Sequence, residues 1–374
     1  TSPPPPAPTP GARRGVAWLV VAAVILATGA GVGGFFVGRA LESRDRPTLV
    51  PVAQGVSTPT AAPATLPGER PGPLAGEDAE EPVAAVAAAV APSVVRIETA
   101  IGQGSGIIWR AADGYIVTNA HVVQGAREVK VRFADGEEVT GEVVGADVNH
   151  DVAVVHIDPT GHHLVEAVFA PSDTVEVGQL AVAIGSPFSL DQTVTAGVVS
   201  AVGRINPEGG ADPTNPVPVE MIQTDAPINP GNSGGALADR QGRVIGMNTS
   251  IRTDGQTEGN IGVGFAIPAD TIEIVANRIV NGEPLDMGFL GISGQDTDDG
   301  RGGAIVTEVV AGSAAERAGL EVGDRIVAVD GDPVAGMAEL AAKIKLYRPD
   351  DPVQLEIERD GERFVTTAVL GAPS

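Results

Sequence analysis

Ser233 lies in a glycine-rich segment, Gly231-Asn232-Ser233-Gly234-Gly235, that could present a nucleophile. Glycine adopts positive φ readily and lets another part of the chain approach closely, so such a loop can turn backbone N–H groups inward. These donors would face the negative charge that develops when a hydroxyl attacks a carbonyl carbon. The serine needs a base to take its proton, and a glycine-rich turn without catalysis is the alternative. The catalytic interpretation therefore requires a histidine and a carboxylate elsewhere in the chain.

His121 is the candidate base, because it follows the apolar segment Tyr115–Asn119 at the edge of a predicted turn. A side chain in this position can face a cleft, whereas a surface or core histidine is the alternative. The remaining histidines are less well placed, and they are His150, His156, His162 and His163. The pair His162-His163 could bind a metal weakly, but no third ligand is apparent.

Asp151 is the preferred orienting carboxylate, and Asp147 is its rival. Asp151 directly precedes the apolar segment Val152–Ile157, so its carboxylate can be partly buried at the start of a strand. A carboxylate must be partly desolvated if it is to fix the tautomer of an imidazole and stabilise the imidazolium. Asp147 lies earlier, in a predicted turn, and capping of the strand end is the non-catalytic alternative for Asp151.

The composition excludes several classes of function. The 374 residues carry 24 Lys and Arg against 48 Asp and Glu, a formal net charge of −24 at pH 7. Such an acidic chain argues against nucleic acid as a partner and against docking on anionic lipid headgroups. The absence of cysteine excludes disulfides, thiolate catalysis and cysteine zinc sites. Abundant glycine and proline, with 3% aromatic residues, favour short strands and turns over a helical bundle.

The N-terminal part of the chain is predicted to tether the rest. Residues 1–14 are Pro-rich at their start and are expected to form a disordered tail. Residues 15–38 carry no charge and are long enough to form a transmembrane helix across about 30 Å of hydrocarbon. A cleaved signal peptide is the rival, since Thr28-Gly29-Ala30 resembles a small-residue cleavage site. Residues 39–82 contain many prolines and are predicted to form an extended linker.

Strands dominate the remainder of the chain. Between Ser93 and Ser250, about a dozen short β-branched segments alternate with Gly, Pro and Asp-Gly turn signals, which predicts an all-β sandwich or a pair of barrels. Ala269–Asn281 is the first convincing helix, and Gly282 follows it. A smaller unit of strands and two helices follows, so the predicted domains are residues 83–283 and 284–374.

The order His121, Asp151, Ser233 is the chain order of the chymotrypsin fold. The segments around them, Thr118–Val122, Asp151–Val154 and Gly231–Leu237, resemble the signature segments of the HtrA/Deg family of exported serine proteases. Further resemblances are Gly104-Ser105-Gly106 and Gly264–Pro268. The resemblance covers residues 83–370. It implies a mainly β fold with a chymotrypsin-like double β-barrel and a PDZ domain after it. The predicted N-terminal transmembrane helix and Pro-rich linker precede these two domains.

The resemblance also implies a role for each matching residue. Ser233 would be the nucleophile, His121 the general base and Asp151 its orienter. The backbone N–H groups of Gly231 and Ser233 would form the oxyanion hole, and no metal or cofactor is implied. Pro227 stands at the base of the expected pocket and carries no charge, so cleavage after Lys or Arg is not expected. The residues expected to line a shallow apolar substrate pocket are Pro227, Ile228, Met247, Asn248 and Thr249.

Residues 284–374 resemble the PDZ domain of that family. The loop Gly288–Ile292 resembles its carboxylate-binding loop, where backbone N–H groups receive a peptide C-terminus. The peptide would add as a strand beside residues 290–294, opposite a predicted helix at Met337–Leu346. The residues expected to bind it are Gly288, Phe289, Leu290, Gly291, Ile292, Leu340 and Ile344.

The function implied is that of a serine endopeptidase for unfolded or misfolded proteins, held outside the cytoplasm by a single membrane span. C-terminal peptides would bind the PDZ domain, and the family also implies a homotrimer, although the aromatic residues that would support it are not evident near residue 83. Polar loops at 204–218 and 251–260 are expected to switch between ordered and disordered states. A proteolytically weak chaperone or scaffold that retains the protease fold is the alternative.

Overall fold

A computed structural model of the chain describes residues 81–186, 192–206, 217–229, 231–251, 262–297 and 299–373. The predicted tail, the predicted membrane helix and nearly all of the predicted linker lie outside these residues, as do most of the two polar loops. Within the described ranges, no helix combines the length and the apolar character that a membrane crossing requires.

Six strands close into a first barrel, with the order β1-β2-β3-β6-β5-β4 around it. They are β1 (Val94–Glu98), β2 (Gln103–Arg110), β3 (Tyr115–Thr118), β4 (Glu128–Arg132), β5 (Glu138–Asp147) and β6 (Val152–His156). In β4 the valines are buried and the charged residues exposed, the alternation expected of an antiparallel strand with one solvated face. Ile97, Ile108 and Ile116 are among the residues that fill this barrel.

Six further strands close into a second barrel in the order β10-β11-β12-β9-β8-β7. They are β7 (Leu180–Gly185), β8 (Thr193–Asn206), β9 (Val219–Thr224), β10 (Ala236–Ala238), β11 (Val244–Ile251) and β12 (Gly264–Pro268). Leu237 and Ile245 lie in its core. The strands predicted from the sequence did not include β12, because glycine and proline at its ends weaken the strand signal.

Two helices pack against the barrels. Helix α1 (Pro82–Val90) buries Val86 and Val90. Helix α2 (Ala269–Asn281) has the predicted bounds, and it contacts β5 and β6 with a face that includes Ile272 and Val275. Ile274 of the same helix is 40% exposed. Gly282 ends α2 in the left-handed conformation, where glycine is favoured.

The C-terminal part forms a separate sheet in the order β13-β14-β15-β17-β18, with β16 paired to β15. Its strands are β13 (Ile292–Asp296), β14 (Ala304–Val309), β15 (Arg325–Val329), β16 (Asp332–Pro333), β17 (Pro352–Arg359) and β18 (Glu362–Val369). Helices α3 (Ala314–Arg317) and α4 (Met337–Lys345) complete it. The strand predicted at 290–294 begins two residues later, at Ile292, because residues 288–291 form a loop with Gly291 at φ 84°.

The mainly β fold with two closed barrels and a following smaller sheet confirms the predicted fold class. The barrels and the C-terminal sheet are in contact. Arg278 of α2 donates to the carbonyl oxygen of Leu346 at 2.5 Å, and Arg348 pairs with Glu283 at 2.5 Å. Helix α4 also contacts β8 and β9 of the second barrel. Any relative motion of these two parts has to break these contacts.

Candidate active site

His121 and Asp151 are hydrogen-bonded. A short 3₁₀ helix, Ala120–Val122, follows β3 and carries His121, while Asp151 directly precedes β6, the partner of β3. His121 Nδ1 lies 2.9 Å from Asp151 Oδ2 and 3.0 Å from Oδ1, and the His121 backbone N–H donates to Oδ1 at 3.1 Å. The carboxylate side chain is 5% exposed and the imidazole 39%. The buried carboxylate therefore fixes the ring and leaves its other edge accessible.

Asp151 is also held through its backbone and its second carboxylate oxygen. It has φ 54°, a left-handed conformation that costs free energy for a residue other than glycine. Asn119 Nδ2 donates to the Asp151 carbonyl at 3.1 Å, and Thr249 Oγ1 donates to Asp151 Oδ2 at 2.6 Å. Neither this backbone conformation nor the contact from Thr249 was expected from the sequence.

The environment of His121 favours its protonated form. Burial alone would lower the pKa of His121, but the hydrogen bond and the negative charge of Asp151 outweigh it and raise the pKa above its ordinary value. A general base must be neutral to accept a proton, so its capacity is lost as pH falls through this raised pKa.

Asp147, the rival carboxylate, makes a different pair. Its Oδ2 lies 2.7 Å from His150 Nδ1, and its Oδ1 accepts from the backbone N–H groups of Asn149 (2.8 Å) and His150 (3.3 Å). Burial would raise the pKa of Asp147, yet the hydrogen bonds and charge of His150 and the backbone bonds hold it below its ordinary value. Asp147 thus closes the turn that leads to Asp151 and does not contact His121.

The Ser233 hydroxyl donates to the carbonyl oxygen of Thr249 at 3.0 Å. Among the described residues, no hydrogen bond joins Ser233 to His121. Such catalytic hydrogen bonds are often long or absent without substrate and form in the complex. Thr249 links the two parts of the site, because its carbonyl holds Ser233 while its hydroxyl holds Asp151.

The loop 231–235 has the glycine conformations that the sequence predicted. Gly231 and Gly234 have φ 98° and 83°. A Cβ on Gly234 would lie 2.0 Å from the carbonyl oxygen of Ser105, so the loop packs too closely for any side chain there. The backbone N–H groups of Gly231 and Ser233 have no acceptor within the described part of the chain. An oxyanion hole requires N–H groups without an internal acceptor.

The residues predicted to line a substrate pocket are not equally accessible. Pro227 is exposed, whereas Ile228 is 1% exposed within the core of the second barrel. Met247 and Asn248 are fully buried, and Asn248 Nδ2 donates to the Ala236 carbonyl at 2.9 Å. The hydroxyl of Thr249 is directed to Asp151. Of the five residues, the structure thus leaves Pro227 at the surface and uses the others in the core or beside the aspartate.

The loop 288–291 in the C-terminal sheet presents free backbone donors. The Leu290 carbonyl accepts from Ala315 at 2.8 Å, and the Gly291 carbonyl accepts from Val310 at 2.9 Å. Within the described residues, the N–H groups of Leu290 and Gly291 have no acceptor. The N–H groups at positions 288 and 289 are already bonded, to the carbonyls of residues 347 and 371.

Of the other residues predicted to bind the peptide, Leu340 and Ile344 lie in the core of this sheet and Ile292 is partly buried against it. Of the two adjacent histidines considered as a weak metal pair, His162 contacts Glu137, with its Nδ1 3.1 Å from Oε1. In the described ranges, no group of three or more His, Asp or Glu side chains is arranged to hold a metal ion.

The two regions match two domain families. Residues 104–247 match the family model described as trypsin-like peptidase domain, and residues 278–358 match that described as PDZ domain. The fold and the site thus define a trypsin-like peptidase followed by a PDZ domain.

Relatives that align with about three quarters of this chain identify its family. The putative serine protease HhoA of Synechocystis is 39% identical over 293 residues, which are 73% of this chain and 72% of that protein. The HtrA-type protease AlgW, solved with a tripeptide, has a TM-score of 0.63 and 34% identity over 78% of this chain and 97% of its own. The chain belongs to the HtrA/Deg family of serine proteases.

The periplasmic pH-dependent serine endoprotease DegQ of Escherichia coli is also similar, with 38% identity over 280 residues. The match covers 72% of this chain but 59% of DegQ, so the chain spans less than two thirds of the length of this curated relative.

Proposed function

We propose that this protein is a serine endopeptidase that hydrolyses peptide bonds of unfolded or misfolded proteins outside the cytoplasm. The observation that carries the proposal is the buried Asp151 carboxylate on His121 Nδ1, joined through Thr249 to Ser233. Relatives named as periplasmic serine endoproteases support both the activity and the extracytoplasmic location.

In this mechanism the Ser233 Oγ attacks the carbonyl carbon while His121 Nε2 takes the hydroxyl proton. The carbonyl oxygen becomes an oxyanion and accepts from the N–H groups of Gly231 and Ser233. The C–N bond breaks as His121 returns the proton to the leaving amine, which leaves an acyl ester on Ser233. Water repeats the sequence, and its attack releases the acid and restores the serine.

The C-terminal sheet supplies the regulatory part of the proposal. A peptide C-terminus would bind the N–H groups of Leu290 and Gly291 and extend along β13, beside α4. Because α4 also contacts β8 and β9, a displacement of α4 on peptide binding can be transmitted to the second barrel. Coupling of about 1–3 kcal/mol, which is roughly 5- to 150-fold in a binding equilibrium, is the range typical of such linked sites.

The remaining parts of the proposal concern the whole protein. Residues 15–38 would anchor it in the membrane with the domains 83–283 and 284–374 outside, and it would assemble as a homotrimer. Mass measurement on residues 83–374 tests the trimer, and a monomeric mass at working concentration would contradict it. Extraction of the full chain by detergent but not by salt or alkali tests the anchor.

The activity is tested with Ser233→Ala. Cleavage of a permanently unfolded casein-like substrate should fall by about 10⁴-fold or more, because the three side chains act as a unit. Labelling by a fluorophosphonate should be lost, while far-UV circular dichroism stays unchanged. If the wild-type protein neither cleaves the substrate nor takes the label, but suppresses its aggregation, the chaperone alternative is correct.

A further inference from the structure

Ser105 belongs to the Gly104-Ser105-Gly106 motif, and the proposed catalytic mechanism assigns it no role. It lies on β2 of the first barrel and is fully buried, as are its two glycine neighbours. A Cβ on Gly104 would lie 2.6 Å from a methyl carbon of Val122 and 3.1 Å from the Ser233 carbonyl oxygen. The motif therefore brings β2 into direct contact with the backbone of the serine loop.

All the polar groups of Ser105 are engaged. Its Oγ donates to the Gly231 carbonyl at 2.7 Å and accepts from the Ser186 N–H at 2.8 Å. Its backbone N–H donates to the Ser233 carbonyl at 2.8 Å, and its carbonyl accepts from Thr118 Oγ1 at 2.6 Å. One residue of the first barrel thus holds two carbonyls of the loop on the second barrel.

These bonds fix the two peptide planes that flank the plane carrying the Ser233 N–H. In the plane between residues 231 and 232, the carbonyl is held by Ser105 Oγ and the N–H by the Asn229 carbonyl at 2.9 Å. In the plane between residues 233 and 234, the carbonyl is held by the Ser105 N–H and the N–H by the Asn248 carbonyl at 2.9 Å. The plane between them has its carbonyl bonded to Gly235 at 2.9 Å, which leaves the Ser233 N–H as its open group.

From this arrangement we propose that Ser105 is a positioning residue, whose hydroxyl aligns the loop so that the Ser233 N–H faces the developing oxyanion. A hydroxyl suits the position because it accepts from one buried backbone group and donates to another. Alanine would leave the Ser186 N–H and the Gly231 carbonyl without this partner. The loop would then relax, and a shift on the order of 1 Å can reduce turnover by about 10²-fold.

This inference rests on the proposed function. Its test compares the affinity for a transition-state mimic, a peptide boronic acid, with the KM of a peptide substrate. The variants are Ser105→Ala and Ser105→Cys, where cysteine fills the space but is a weak hydrogen-bond donor. Ser93→Ala is the matched control, since Ser93 is also buried and lies at the start of the same barrel. Each variant is assayed with a short chromogenic peptide that has an apolar P1 residue, and active sites are titrated.

We expect kcat to fall by about 10- to 100-fold in both Ser105 variants, with KM changed by less than about threefold. A peptide boronic acid, which forms a tetrahedral adduct with an oxygen in the oxyanion position, should lose affinity by the same factor as kcat/KM. Ser93→Ala should alter the melting temperature at most, because it removes no group that bears on the loop 231–235.

A kcat within about twofold of wild type in folded Ser105→Ala or Ser105→Cys would overturn the inference. So would a loss that appears in KM while boronate affinity is unchanged. If the alanine variant does not fold, the cysteine variant decides between these outcomes. Failure of the wild-type protein to hydrolyse the peptide or bind the boronate would instead refute the proposed function itself.

Discussion

In the described part of the chain, the loops 231–235 and 288–291 both present backbone N–H groups, and they are built differently. In the proposed mechanism, the loop 231–235 would face a charge that exists only during the reaction, whereas the loop 288–291 would receive the permanent carboxylate of a peptide. In the first, one carbonyl is held by a side-chain hydroxyl from the opposite barrel and another by that residue's N–H. In the second, the carbonyls of Leu290 and Gly291 are held by backbone N–H groups of the same sheet domain.

The difference follows from what each loop has to do. A permanent carboxylate can itself pull two N–H groups into line, so a locally held loop suffices. A transient oxyanion cannot organise its donors without a cost in the activation free energy, so these donors must be aligned beforehand. The loop 231–235 is accordingly fixed from a distant part of the chain, and its proposed function should respond more to remote changes than that of the loop 288–291.

The largest expected effect is that of Asp151→Asn, which should change catalysis but not peptide binding. The asparagine would hold the wrong tautomer of His121, and kcat should fall by about 10⁴-fold. Binding of a C-terminal peptide to the loop 288–291, measured by fluorescence anisotropy, should be unchanged.

The same variant has a signature in the pH profile. Wild-type kcat/KM should decline as pH falls through the raised pKa of His121, because protonation removes the base. Without the carboxylate charge, the residual activity should persist to lower pH. If kcat/KM of Asp151→Asn declines at the same acidic pH as that of the wild type, a group other than His121 controls the decline.

The next effect concerns Gly291→Ala, which acts on the peptide loop alone. Gly291 has φ 84°, and a Cβ there would lie 2.2 Å from the Cβ of Ser313. Displacement of the loop should weaken peptide binding by about 10- to 100-fold, which is the loss of one or two N–H hydrogen bonds to a carboxylate. Cleavage of a small peptide substrate without activator should stay within about twofold of wild type.

Gly312→Ala is the matched control, because Gly312 has φ 74° and a methyl group added there would meet nothing within 4 Å. It carries the same backbone strain without the collision, so its peptide affinity should be close to wild type. Equal losses in the two variants would mean that strain in the sheet domain, and not the loop's position, determines binding.

The smallest effect on chemistry is expected from Asp147→Asn. The asparagine retains an oxygen for the turn that leads to Asp151, so kcat should fall by no more than about threefold. The free energy of unfolding should fall by about 1 kcal/mol, because the hydrogen bond to His150 loses its charge. Urea unfolding measures this, and a loss of kcat comparable to that of Asp151→Asn would reverse the assignment of the two carboxylates.

That loss of stability should depend on pH. The folded pKa of Asp147 is lowered, so its carboxylate stabilises the fold above the unfolded value of about 3.9 and ceases to do so as pH falls through the folded pKa. The difference in stability between wild type and Asp147→Asn should therefore be present near neutral pH and vanish in strong acid.

The sequence predicted most of the fold because its strands are short, β-branched and bounded by turn residues. It also paired His121 with Asp151, since an aspartate next to an apolar strand is placed to be buried. It could not predict the functions of Thr249 and Ser105, because each acts through a contact with a residue far away in the chain. The burial of Met247 and Asn248 could not be predicted either, since they lie on a strand whose exposure depends on how the barrels close.

Closure of both barrels has a consequence for the stability of this protein against aggregation. Every described strand from β1 to β12 has two neighbours, so these twelve strands leave no unpaired edge for another polypeptide. In the described sheets, the edge strands are β13, β18 and the two-residue β16, all in the C-terminal domain. The proposed function requires repeated encounters with unfolded chains, which extend sheets wherever an edge is open. Among the described strands, this risk is confined to the C-terminal sheet. At its edge strand β13, an added strand would be the bound peptide of the proposed function and not the start of coaggregation.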